Sequence, residues 1–461
     1  MSAVINSPHA RDVASILHPM TNPGKHEKDG PLILDEGNGV YVKDLEGNEY
    51  IEGMAGLWCT SLGFSNERLI DAAVAQMRKL PTYHTFFHRS NMPAIDLAEK
   101  LLSLAPVPMS KVWFANSGSE ANDHMIKFVW FYNNALDRPE KKKIIARHEG
   151  YHGIAVSSAS LTGLPPMHKG FDLPLPGILH TGSAHYYRHG LPGETEEAFS
   201  TRRAEELEAL ILEEGPETVA AFVAEPVMGA GGAITPPETY FQKIQAVLKK
   251  YDILMVADEV ITGFFRTGER FACETYGIEP DIIINAKQLS SAYLPISSVM
   301  LNEKVYSAIR EYADRNGILG TGFTYSGHPV SAAVALETLK IYDDIDIGNH
   351  VKHVSKLAME RLDALNDHPI VGDAKGVGLI GSVELVKDKE TKENFGPEIA
   401  MWASEACTRR GVILRPCAGI RVAFCPPLII EDNEIDALFD RWELALNDTL
   451  EHVKEQGLIE R

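Results

Sequence analysis

Six short apolar runs, separated by stretches of helical periodicity, constrain this chain more than any other feature of its sequence. KVWFANS from Lys111, KKIIARH from Lys142, VAAFVAEPV from Val219, ILMVADEV from Ile253, DIIINAK from Asp281 and SSVMLN from Ser297 are rich in Val and Ile without clean alternation of apolar and polar positions. Such runs suit strands covered on both faces by helices, so the region predicts an α/β domain with a mainly parallel sheet. Upstream, GVYVKDLEGNEYIEG, Gly39 to Gly53, alternates with period two around an EGN turn and reads as a hairpin. Residues 1–35, rich in Pro, His and Asn, read as an arm lying over another surface. NERLIDAAVAQMRKL places Leu69, Ile70, Ala73, Val74, Met77 and Leu80 on one helical face, with Ser65 as its N-cap. Beyond Pro329 follow a long helix, a strand pair around VGDAKGVGLIGSVELV, another helix, strands near VILRP and IRVAFCPPL, and a last helix from Glu431. This is the pattern of a smaller α+β domain completed by the N-terminal hairpin. The expected division is an arm and hairpin over 1–59, a large ligand-binding domain over 60–328, and the rest of the small domain over 329–461.

Composition excludes several function classes. With 44 Lys and Arg against 64 Asp and Glu the net charge is -20, and the basic run Lys141 to Lys143 is short enough to be a solvated connection into a strand. Nucleic-acid binding, which needs clustered positive charge, is disfavoured. The cysteines Cys59, Cys273, Cys407, Cys417 and Cys425 are odd in number and lack metal-ligand spacing, as expected of reduced thiols in a cytoplasmic protein. The start MSAVINSPHARDV lacks the charged head and apolar run of a signal peptide, and no stretch approaches the roughly 20 apolar residues that span a membrane.

Chemistry-bearing residues gather where the expected strands end. SGSEAND, Ser117 to Asp123, joins a strand to a helix through a small-residue turn. Unpaired amides and the helix dipole make such a turn either an anion site, with Ser117 and Ser119 as hydroxyl donors and Gly118 open to close approach, or an ordinary N-cap. EGYHG places Tyr151 and His152 on the next loop. VADEV closes a buried strand with Asp258 and Glu259, which need a partner such as a cationic ring nitrogen, a metal or an arginine like Arg266. Lys287 ends DIIINAK, where a free ammonium would be costly to bury. One ligand at the carboxyl edge of a parallel sheet satisfies all of these. Pyridoxal 5'-phosphate brings a phosphate, a flat ring, a basic ring nitrogen and an aldehyde that converts the lysine to an imine.

SGSEAND, YHG, ADEV..GF.RTG, an AK after a strand and GFTYSGHP occur in that order, and the chain closely resembles the class III pyridoxal-phosphate aminotransferases, most of all the pyruvate-dependent omega-transaminases. The resemblance runs from near Trp58 to near Leu428. It implies the aspartate-aminotransferase-like fold of type I, with a large seven-stranded α/β domain and a smaller domain built from both termini. It further implies that Lys287 carries the cofactor and shuttles the proton, that Asp258 partners the ring nitrogen, and that Tyr151 and Val260 cover the two ring faces. Ser117, Gly118, Ser119, His152 and Glu225 complete the cofactor contacts, with Thr324 reaching in from a second subunit of a homodimer, or of a tetramer. Met20, Trp58, Phe86 and Phe87 match positions lining two apolar substrate pockets, and Arg415 matches an arginine that binds the acceptor's carboxylate. The implied activity is amino-group transfer from a primary amine or omega-amino acid to pyruvate by a ping-pong mechanism. A glutamate-linked, decarboxylating or aminomutase relative, or a non-catalytic phosphate-ligand binder, are the competing expectations. Two departures stand out: Gln288 after the lysine and Phe265 in GFFRTG occupy positions where many relatives have glycine.

Overall fold

Each of the six apolar runs becomes a strand in the computed structural model, which describes residues 6–460. In chain order the strands are β1 Leu34–Asn38, β2 Tyr41–Asp44, β3 Glu49–Glu52, β4 Lys111–Ala115, β5 Lys143–Arg147, β6 Ile178–Thr181, β7 Val219–Ala224, β8 Leu254–Asp258, β9 Ile282–Asn285 and β10 Ser297–Leu301. The C-terminal third adds β11 Val371–Val377, β12 Ile380–Leu385, β13 Val412–Ile413, β14 Arg415–Cys417 and β15 Arg421–Phe424.

The central sheet has seven strands in the order β4-β10-β9-β8-β7-β5-β6. β6, β5, β7, β8 and β9 pair in parallel, while β10 runs antiparallel to both neighbours. Every residue of β7, β8, β9 and β10 is buried, which explains the missing alternation. Side chains still alternate, but between two cores. Val256, Ile284 and Val299 join Met125, Val129 and Val305 from the helices Gly118–Ala135 and Glu303–Asn316 on one face. Phe222, Met255 and Ile283 meet Leu207, Phe241, Ile244 and Leu339 from three other helices on the opposite face.

The hairpin β2–β3 forms as the period-two pattern predicts, and its sheet takes in a C-terminal strand, because β3 pairs in parallel with β13. The strands β11, β12, β15 and β14 make a separate antiparallel sheet. Among the described residues no helix is long and apolar enough to cross a membrane.

Several local expectations are corrected. Ser65 does not cap the helix Glu67–Lys79; Asn66 does, its side chain accepting the Leu69 amide, while Ser65 has φ 56° and donates to the Gly37 carbonyl. That helix buries Leu69 and Gln76, leaving Ile70, Val74 and Met77 exposed, so the apolar stripe read from periodicity is not its core face. Lys141 is not solvated: its ammonium donates to the carbonyls of Pro216 and Tyr251, and burial lowers its pKa. β1 and β6 were not foreseen. The long helix after Pro329 is two, Pro329–Asp344 and Ile347–Ala364, broken where Asp346 adopts φ 49°. Of the expected arm over 1–35, residues 1–5 lie outside the described residues; the remainder holds two short helices, Pro8–Ser15 and Pro23–Asp29.

Candidate active site

Five strands of the central sheet deliver their chemistry at carboxyl ends, where open α/β sheets hold ligands. β8 ends on Asp258, which is buried. Its Oδ2 accepts hydrogen bonds from His152 Nδ1 at 2.8 Å and Asn122 Nδ2 at 2.9 Å, and its Oδ1 accepts only the Val260 amide at 3.1 Å. A carboxylate oxygen takes two donors, so Oδ1 keeps one acceptor position free. Neighbouring Glu259 faces elsewhere, bonded to Thr262 and the Cys273 amide. Arg266 is no partner of either carboxylate, since its guanidinium donates to the carbonyls of Leu379 and Pro426.

β7 ends in Glu225, buried and accepting the amides of Tyr151 at 2.8 Å and Gly229 at 2.9 Å. Desolvation pushes its pKa up, and the nearby Asp258 adds to the shift. Glu225 thus ties the loop after β5, which carries Tyr151 and His152, to the end of β7. Burial likewise raises the pKa of the half-buried Tyr151, which Arg415 partly offsets.

β9 delivers Lys287 at the head of the turn Lys287–Ser290, with φ 48°. Left-handed backbone is uncommon outside glycine and marks a residue held there by its surroundings. The Lys287 ammonium has no hydrogen-bond or ionic partner among the described residues. Desolvation lowers its pKa, opposed by Cys59, Asp258 and Glu225 and assisted by Arg415. A lysine whose charged form is disfavoured by burial, beside carboxylates but bonded to none, can act as a nucleophile or as a base.

At the end of β4 the side chain of Ser117 caps the helix Gly118–Ala135, accepting the Glu120 amide at 3.2 Å. Ser119 Oγ accepts the Ile154 amide at 3.1 Å. Gly118 lies against Val260 so closely that an added Cβ would stand 3.2 Å from both Val260 methyls. Any larger residue at 118 would press on the side chain next to Asp258.

From outside the sheet come Trp58, buried with φ 66°, and Arg415 at the start of β14, whose guanidinium carbon lies 5.9 Å from the Trp58 ring centre. Arg415 has no carboxylate partner among the described residues, and Trp58 Nε1 is buried without an acceptor. Lys287, Asp258, Tyr151, His152, Glu225, Ser119, Val260, Trp58 and Arg415 therefore form one neighbourhood. Met20 and Phe87 do not join it within the chain: they are 68% and 73% exposed. Phe86 packs on Gly322, where an added Cβ would lie 2.6 Å from its ring, and so borders the exposed turn holding Thr324.

Two neighbours of the site were not foreseen. Asn122 sits one helical turn after Gly118 and supplies half the donors to Asp258 Oδ2; an amide amid the SGSEAND turn was its only signal. Cys59 adjoins Lys287 and left no signal in the sequence.

Gln288 and Phe265 converge on one side chain. Gln288 is wholly buried and its Nε2 donates to the Ile261 carbonyl at 2.7 Å, while its backbone carbonyl accepts from Tyr342 at 2.8 Å. Phe265 packs edge-on against that tyrosine, with ring centres 6.0 Å apart. Gln288 braces the turn beneath Lys287 through its side-chain bond to Ile261, and Phe265 does so through Tyr342, whose bond to the backbone carbonyl of residue 288 does not depend on the side chain there. Gln288→Ala should lower stability by about 1–2 kcal/mol, the cost of leaving a buried carbonyl unpaired. A denaturant midpoint unchanged from the parent would refute this brace.

Comparison with known proteins identifies the family. The family model "Aminotransferase class-III" matches residues 24–446. Gamma-aminobutyrate transaminase 1, mitochondrial, of Oryza sativa subsp. japonica is 49% identical over 95% of this chain and 86% of its own length. Gamma aminobutyrate transaminase 3, chloroplastic, of Solanum lycopersicum is 50% identical over 95% of this chain and 85% of its own. The omega transaminase of Pseudomonas jessenii, in complex with PMP, superposes with a TM-score of 0.96 at 52% identity, covering 97% of this chain and 99% of that one. A structure described as a transaminase with L-ala gives a TM-score of 0.90 at 54% identity over 92% of this chain and all of its own. The chain belongs to the class III aminotransferases, enzymes of PLP fold type I that use pyridoxal phosphate.

Proposed function

We propose that this aminotransferase moves the amino group of a primary amine or an omega-amino acid to pyruvate, releasing L-alanine, in two half-reactions at one site. The observation that carries the choice of acceptor is Arg415, an ion-free guanidinium over Trp58 and close enough to Tyr151 and Lys287 to shift both pKa values. One guanidinium suits one carboxylate, which is what pyruvate offers, and it can bind it through two parallel hydrogen bonds. The relatives' names add 4-aminobutyrate as a candidate donor.

The residues fit the cofactor on two counts: Lys287 has a free, desolvated amine, and Asp258 Oδ1 has an open acceptor position. When bound, pyridoxal phosphate supplies a carbonyl for the amine and a ring that delocalises the electrons left when the substrate's α proton departs. Lys287 anchors it through Nζ and, when free, serves as the base that takes and returns that proton. Asp258, oriented by Asn122 and His152, would offer Oδ1 to the ring nitrogen and favour its protonated form. Tyr151 and Val260 would lie against the ring, with Glu225 fixing the Tyr151 amide. Ser117, Gly118 and Ser119, at a helix N-terminus, would hold the phosphate together with Thr324 of the partner subunit.

The exposed positions support a homodimer. Phe86, Phe87 and Thr324 border one surface, with Tyr325 and Ile318 also exposed in that chain segment, and Met20 is exposed on the arm. In the dimer these meet Trp58 of the facing site to line the substrate pockets. We also propose domain limits at 59/60 and 328/329, and a cytoplasmic location, supported by five cysteines of which none is disulfide-bonded.

The test is acceptor choice. With 4-aminobutyrate or 1-phenylethylamine as donor, alanine should form from pyruvate at least about tenfold faster than glutamate forms from 2-oxoglutarate, a difference of about 1.4 kcal/mol in barrier. Equal or faster glutamate formation would favour the glutamate-linked reading.

A further inference from the structure

Outside this site, three side chains converge between the loop leading to Tyr151 and the short helix Tyr186–His189. Glu149, at φ 66°, directs Oε2 to 3.6 Å from His185 Nδ1 and 3.5 Å from His189 Nε2. All three ligand atoms lie within 4.8 Å of one another. The two carboxylate–imidazole separations are too long for good hydrogen bonds. They do match the edges of a tetrahedron around a cation whose N and O ligands stand at about 2.0–2.2 Å, which are roughly 3.3–3.6 Å long.

A second observation points the same way. His185 is only 4% exposed, and its Nδ1, on the Glu149 side, is buried with no hydrogen-bond partner. A buried imidazole nitrogen left unpaired is costly, and a bound ion removes that cost. Around this core, Ser183 donates to the same Glu149 oxygen and fixes its direction. His189 is exposed and opens a path to solvent. A contrasting cluster occurs on the arm, where Asp12 Oδ1 stands 2.9 Å from His18 and 3.0 Å from His26, ordinary hydrogen-bond distances that leave no room for an ion.

We propose that Glu149, His185 and His189 bind one divalent ion of the zinc class, with a fourth position open to water. For Nδ1 of His185 to ligate, the ring proton must sit on Nε2. That atom lies 3.0 Å from Arg421 NH1 and 3.6 Å from Glu384 Oε2. In this structure Nε2 accepts from Arg421, which can only donate, so loading moves the ring proton from Nδ1 to Nε2 and tilts the ring toward Glu384, giving the carboxylate–histidine–metal arrangement that orients such ligands. Arg421 keeps Ser382, Glu384 and Asp373 as partners. The ion would brace the strand-to-loop junction two residues ahead of Tyr151.

The test uses the full-length, cofactor-loaded enzyme, stripped with EDTA and titrated with zinc by calorimetry. Cobalt(II) serves as a spectroscopic substitute, through the visible bands of a low-coordinate ion. The parent and a His26→Asn control should bind one zinc per chain at this site, with a rise in thermal midpoint, since binding only the native state stabilises it. His189→Ala and Glu149→Gln should lose that zinc, the cobalt bands and the rise together. If both variants bind zinc like the parent, or if the parent binds none, the proposal is overturned and the cluster is a polar contact of Glu149 with the two histidines.

Discussion

Lys287→Ala should lower transamination at least about 10⁴-fold, because in the proposed mechanism one side chain is both anchor and proton carrier, and general acid–base groups alone contribute up to about that factor. Two properties of the residue make the loss specific. Its pKa is lowered by desolvation, so the neutral amine is accessible, and it has no competing partner to satisfy it when the substrate takes its place. The variant should still fold, since Ala286 and Gln288 keep their contacts. Borohydride treatment of the parent should fix the cofactor to the peptide containing Lys287, while the variant should release it on gel filtration. Label on a different lysine would overturn the assignment.

Arg415→Ala should raise KM for pyruvate by about 10²-fold, the roughly 2.7 kcal/mol expected when a charge-assisted, two-pronged contact to a carboxylate is removed. A carboxylate-free amine such as 1-phenylethylamine should change only a few-fold, because it offers no carboxylate for the guanidinium and, in the proposed site, packs on Trp58. The two half-reactions, followed separately, divide the effect cleanly. Equal losses for amine and keto acid would mean that Arg415 supports Trp58 and does not read the acceptor.

The large parallel sheet was legible because burial on both faces removes alternation, and β7 to β9 carry that signature in consecutive apolar residues. β6 was missed for the converse reason: Ile178–Thr181 is short, includes His180, and is half-buried at two of its positions. Asp258, Lys287 and the Ser117 turn were legible because each puts chemistry at the end of a run whose depth the apolar residues announce. Asn122 and Cys59 were not, since their importance comes from which neighbour they meet, and the Asn122–Asp258 bond and the nearness of Cys59 to Lys287 exist only once the chain has folded. The Lys141 error has the same origin. A basic run looks solvated until two carbonyls from distant loops close on it.

Trp58 and Arg415 meet although several hundred positions separate them, and β3 and β13 seal the same junction. Closing so long a stretch of chain is slow, because its entropy is lost before the contact rewards it. Lys287, Asp258 and Tyr151 sit at or just beyond the ends of central-sheet strands, so most of their surroundings form from a shorter stretch of chain. Refolding should therefore pass through a species that captures cofactor, visible as colour, before it can turn over keto acid. The lag between the two signals would time the docking of the chain's two ends.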